Sequence, residues 1–81
     1  MTLRPEVAGD LERRGIVLGE TDTVATLRER LNDLYLEEVR RLRDRQRAGE
    51  IPLREYAGHV DELKRRYPLL GLAAELWVAP P

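Results

Sequence analysis

The sequence predicts an all-α protein built on an antiparallel helical hairpin, and three observations carry that prediction. The first is an apolar run at alternating three- and four-residue steps: Val24, Leu27, Leu31, Leu34/Tyr35, Val39 and Leu42. The second is a matching run, Leu53, Tyr56, Val60, Leu63 and Tyr67. Such steps keep a stripe on one side of a 3.6-residue helix, so each segment is an amphipathic helix. The third is the link Ala48-Gly49-Glu50-Ile51-Pro52, short enough to turn the chain back and carrying a glycine stop.

The elements follow in order. Residues 5–14 form a short first helix. Pro5 suits its first position, Glu6 the positive end of its dipole, and Val7 with Leu11 one apolar face. Gly15 then takes the position after the C-cap, with Ile16 folding back onto Leu11 as the hydrophobic contact of a Schellman end. Residues 16–22 are a connector, and Ile16-Val17-Leu18 reads as a plug for the core rather than a strand, although an extended pairing stays open. Asp22 or Thr23 caps the second helix, about 23–48, which Gly49 ends. Pro52 fits the first turn of the third helix, 52–67, and Pro68 closes it because the residue before a proline avoids helical geometry.

The two long helices are unequal. With the turn near residue 50, facing residues should sum to about 100 across an antiparallel pair. Tyr67 is then expected beside Leu34, Leu63 beside Leu36 or Tyr35, and Val60 beside Leu42 and Val39. Val24, Leu27 and Leu31 are left for a short C-terminal helix, 68–78. On helical spacing its Leu69, Leu72 and Leu76 form one face, and Leu70 and Trp77 another. The expected organisation is a single small domain, 1–81, with both short helices packed on the hairpin.

Composition bounds the rest. A chain of 81 residues buries only about 60% of its unfolded surface, so small domains often lean on disulfides, a metal or a second subunit. There is no Cys and one His, which leaves tight packing or oligomerisation. Thirteen of the fourteen basic residues are Arg, and Ser and Phe are absent, a thermophile-like composition. The formal net charge of −1 provides no global field toward nucleic acid or anionic lipid. Met1-Thr2-Leu3-Arg4-Pro5 has no apolar core of a signal peptide, and the apolar stretch 68–81, broken by Glu75, is too short to cross a bilayer. The expected location is the cytoplasm, with no membrane partner.

Chemistry has little to build on. Without Ser or Cys, nucleophiles reduce to Thr, Tyr and carboxylates, and a single His has no orienting triad. No glycine-rich loop precedes a helix to cradle phosphate. His59, with Glu55 and Glu62 at i−4 and i+3, reads as a surface histidine rather than a metal ligand. No enzyme activity, cofactor or metal is expected.

Three features can carry an interaction. The run Arg40, Arg41, Arg43, Arg45 and Arg47, followed by Arg54, offers Arg40, Arg43, Arg47 and Arg54 as anion or nucleic-acid contacts. Against that reading, the run sits at a helix C-terminus, Glu37 can pair with Arg41 at i,i+4, and Asp44 and Glu50 interrupt it. Leu36 falls about 140° from Leu31 around the helix, so it is covered by another segment or presents a surface to a second subunit. Leu70 and Trp77 are similarly divided between intrachain core and partner interface.

The stretch Arg41 to Tyr56, with Gly49-Glu50-Ile51, Glu55-Tyr56 and Leu63-Lys64, resembles the short C-terminal helical module called SHOCT over about 41–65. Glu50 is inserted between the motif's Gly and Ile, Pro52 replaces its Thr cap, and an apolar tail follows. The resemblance implies a helical interaction or oligomerisation element without catalytic residues. The expected function is a non-catalytic protein–protein interaction or oligomerisation module, with itself (a homodimer) or another protein as partner. Nucleic-acid binding through the arginine face is the alternative.

Overall fold

The computed structural model describes residues 1–80. It is all-α: helix α1 spans Pro5–Arg13, α2 Val24–Arg47 and α3 Leu53–Arg65, followed by 3-10 turns at Pro68–Gly71 and Ala74–Leu76. The chain divides into two compact units, Met1–Asn32 with Leu69–Pro81, and Asp33–Pro68. The single helix α2 contributes its first part to one and its second part to the other.

Both glycine stops are complete Schellman ends. Gly15 takes φ +78° and Gly49 φ +83°, values that favour glycine. After α1, the Gly15 amide donates to the Glu12 carbonyl at 3.0 Å and the Ile16 amide to Leu11 at 2.9 Å. Leu11 and Ile16 are both buried, as the expected apolar contact requires. After α2, Gly49 donates to Gln46 at 3.1 Å and Glu50 to Arg45 at 2.9 Å. Here the usual apolar contact is replaced by an ion pair, Arg45 Nε to Glu50 Oε2 at 3.2 Å.

The start of α2 is a reciprocal threonine cap. The Thr26 amide donates to Thr23 Oγ1 at 3.2 Å, and the Thr23 amide to Thr26 Oγ1 at 2.8 Å. Asp22 supports the approach to it. Its carboxylate accepts the Gly19 amide at 2.7 Å and pairs with Arg30 at 2.9 Å.

In the unit Met1–Asn32 with Leu69–Pro81, the core consists of Val7, Leu11, Ile16, Leu27, Leu31, Leu69 and Trp77. An isolated bridge joins Leu3 and Val78 antiparallel, with Arg4 donating its amide to the Trp77 carbonyl at 3.0 Å and Ala79 donating to Thr2 at 2.8 Å. Residues 16–18 join no bridge: Ile16 is buried, whereas Val17 and Leu18 are exposed.

The expected C-terminal helix, 68–78, is two 3-10 turns separated by extended Ala73 (φ −59°, ψ 145°). That break voids the faces read from α-helical spacing. Leu69 and Trp77 are buried together in the core, Leu76 is exposed, and Leu70 and Leu72 are half-buried.

In the unit Asp33–Pro68, α3 packs antiparallel to the second part of α2, with Ile51, Leu63 and Tyr67 buried. Tyr35, Val39 and Leu42 on α2 and Tyr56 and Val60 on α3 are half-buried. The register is slightly displaced from the expected one. Tyr67 meets Tyr35 and Glu38 rather than Leu34, which is exposed. Ile51 in the turn is buried, and α3 runs from Leu53 to Arg65 rather than over the expected 52–67.

Candidate interaction face

Leu36 lies at the middle of α2 and is 43% exposed. A heptad-spaced stripe runs through it: Glu29, Asp33, Leu36, Arg40, Arg43 and Arg47, at steps of four, three, four, three and four. Because α2 is one unbroken helix, this spacing alone fixes the six residues on one side of it. All six are exposed, on the side of the helix away from the buried Leu27 and Leu31.

The stripe therefore holds three of the arginines expected as anion contacts together with the leucine expected at an interface. It is not uniformly basic. Towards the N-terminal end of α2 its charges are Glu29 and Asp33; towards the C-terminal end they are Arg40, Arg43 and Arg47. Arg40 pairs with Glu37 at 3.5 Å, an i,i+3 contact in place of the expected Glu37–Arg41 pair. Among the described residues, Glu29, Asp33, Arg43 and Arg47 make no ion pair within the chain. Arg54 is exposed at the start of α3, outside this stripe of α2, and likewise makes none.

The remaining arginines of the run serve other purposes. Arg45 closes the end of α2 through Glu50. Arg41 and Arg45 join Arg66 of the second unit around a groove of about 290 Å³, which Glu38, Leu42 and Leu63 complete. Sequence reading put Arg41 and Arg45 in the same basic run but left them out of the candidate contacts Arg40, Arg43, Arg47 and Arg54, without assigning them the roles seen here. The helical step of 100° per residue sets these two on a different side of α2 from Arg40, Arg43 and Arg47.

Leu70 and Trp77 belong to the first unit. Trp77 has no exposed surface, and its indole Nε1 donates to the Leu72 carbonyl at 3.3 Å. It is therefore a core residue and offers nothing to a partner. Leu70 is half-buried beside a shallow groove of about 490 Å³ lined by Val24, Ala25, Arg28, Glu29, Asn32 and Ala74. Arg28 Nη2 donates to the Leu70 carbonyl at 3.1 Å, fixing the first 3-10 turn to α2.

Among titrating groups, Asp22 has its carboxyl held below its ordinary value of 3.8, chiefly by the Gly19 amide and further by Thr26 and Arg30. It lies in the connector and belongs to the cap rather than to the stripe. His59 is half-buried on α3, and no cluster of three or more metal-ligating side chains occurs among the described residues. No helix of the described residues is long and apolar enough to cross a membrane. Comparison with protein families, with curated proteins and with solved structures finds no match for the chain.

Proposed function

We propose that this protein is a small non-catalytic interaction module that associates with itself. The observation that carries the reading is the exposed Leu36 at the centre of the longest helix, within a stripe whose Glu29, Asp33, Arg43 and Arg47 make no ion pair among the described residues. The second unit supports it: few of its apolar residues are fully buried, while Leu34, Leu36 and Leu53 face solvent. A second subunit is a common way for so short a chain to gain buried surface.

Nucleic-acid binding through Arg40, Arg43, Arg47 and Arg54 is the second reading, favoured by Arg43, Arg47 and Arg54, which make no ion pair among the described residues. The same stripe turns acidic at Asp33 and Glu29, which would oppose a phosphate backbone running along the helix.

The test is absolute mass by light scattering after size exclusion, over a hundredfold concentration range. A mass near twice 9.4 kDa, reduced to the monomer by Leu36→Glu, is the expected result. A monomer throughout, with salt-sensitive binding to nonspecific duplex, would replace this reading by the second.

A further inference from the structure

We infer that the partner is a second copy of this chain, docked through α2 in antiparallel orientation about a two-fold axis at Leu36. The inference rests on the self-association proposed above and specifies its surface and geometry.

The argument is charge complementarity. The stripe is acidic on one side of Leu36 and basic on the other. A two-fold axis through Leu36 brings Leu36 onto its own copy, Arg40 opposite Asp33, and Arg43 opposite Glu29. Each contact occurs twice, as an isologous interface demands. A parallel pairing would instead set arginine against arginine and carboxylate against carboxylate, an arrangement that like charges disfavour.

Helix-dipole compensation can account for Arg47, in the last turn of α2, but not for the acidic end of the stripe. Dipole effects fade beyond the first and last turns. The first turn of α2 contains no acidic residue, whereas Asp33 stands deep inside the helix. Nor do local pairs within α2 explain it, since Glu29, Asp33, Arg43 and Arg47 have no partner in the chain among the described residues. Other sides of α2 mix the signs, with Arg30 in its acidic half and Asp44 in its basic half. The segregation is confined to the stripe that includes the exposed leucine.

The test uses two charge-reversed full-length variants. Glu29→Arg with Asp33→Arg makes the stripe wholly basic; Arg40→Glu with Arg43→Glu makes it acidic from Glu29 to position 43, leaving Arg47 as its one base. All four positions are exposed, and circular dichroism checks that each variant folds. Each variant alone should lose self-association by about tenfold or more at low salt. An equimolar mixture should form a heterodimer near twice 9.4 kDa that added salt dissociates. If both variants still dimerise alone, self-association stands and this surface is wrong. If folded variants remain monomeric even when mixed, the antiparallel geometry is wrong. If the unaltered chain is monomeric at every concentration and salt, the inference and the proposed function fall together.

Discussion

The rings of Tyr35 and Tyr67 meet edge to face, with centroids 5.4 Å apart and planes inclined by 70°. The Tyr67 hydroxyl donates to the Glu38 carboxylate, one helical turn beyond Tyr35. One side chain thus makes an aromatic and a charge-assisted contact to adjacent turns of α2, and it does so at the last residue before Pro68. Register in the hairpin is set there by two chemically different contacts.

These contacts separate by mutation. Tyr67→Phe keeps the ring pair and leaves Glu38 without its donor, so it should cost about 1–2 kcal/mol in urea unfolding. A double-mutant cycle between Tyr35→Leu and Tyr67→Leu should give a coupling of about 0.5–1.5 kcal/mol. Additive single effects would show that the ring contact contributes nothing beyond burial.

Two glycines should respond with opposite sign. A Cβ on Gly58 would meet nothing within 4 Å, and the residue lies inside α3, so Gly58→Ala should stabilise by about 0.5–1 kcal/mol. Gly49 also has open space around a Cβ, but its φ of +83° strains any L side chain. Gly49→Ala should therefore destabilise by about 1–2 kcal/mol. Thermal unfolding of the two variants measured side by side checks both signs.

Asp22 predicts an acid limb. Its folded pKa is lowered, so its contribution is complete above the ordinary value of 3.8 and disappears as pH falls through the lower folded value. Asp22→Asn should reduce stability at neutral pH and flatten the loss below pH ~4, read as urea midpoints across that range. An unchanged acid limb in the variant would assign it to other carboxylates.

Trp77 is the chain's one tryptophan and is fully buried, so its fluorescence reports on the unit that contains it. Trp77→Ala should cost about 3–5 kcal/mol, a large part of a small domain's stability. Native emission should be blue-shifted and move red on unfolding. A native spectrum already resembling solvent-exposed indole would contradict the core placement.

Much of the hairpin was legible because its signals are local. Gly15 and Gly49 mark the two Schellman ends, Thr23 the cap, and the three–four spacing the inward stripes. The displaced register was not legible, because nothing local tells whether Leu34 or Tyr35 faces inward or that Ile51 leaves the turn for the core. The tail misled for a related reason. Leu69 to Trp77 carries helical spacing, yet Ala73 is extended and Arg28 holds the Leu70 carbonyl from 42 residues away. The Leu3–Val78 bridge had no repeating pattern to announce it. At the candidate site, Leu36 and the arginines were each visible, but their shared stripe emerges only when the helix is followed back to Asp33 and Glu29.

The bridge between Leu3 and Val78 has a kinetic meaning. Its residues stand at nearly opposite ends of the described chain, so forming it closes the largest loop available and carries the largest closure entropy. The contacts of Tyr67 with Tyr35 and Glu38 span much shorter separations and can form while the bridge is still open. The pairing of Arg4 with Trp77 and of Ala79 with Thr2 is thus a late event in folding. In native-state hydrogen exchange, those two amides should open before the amides of α3 do.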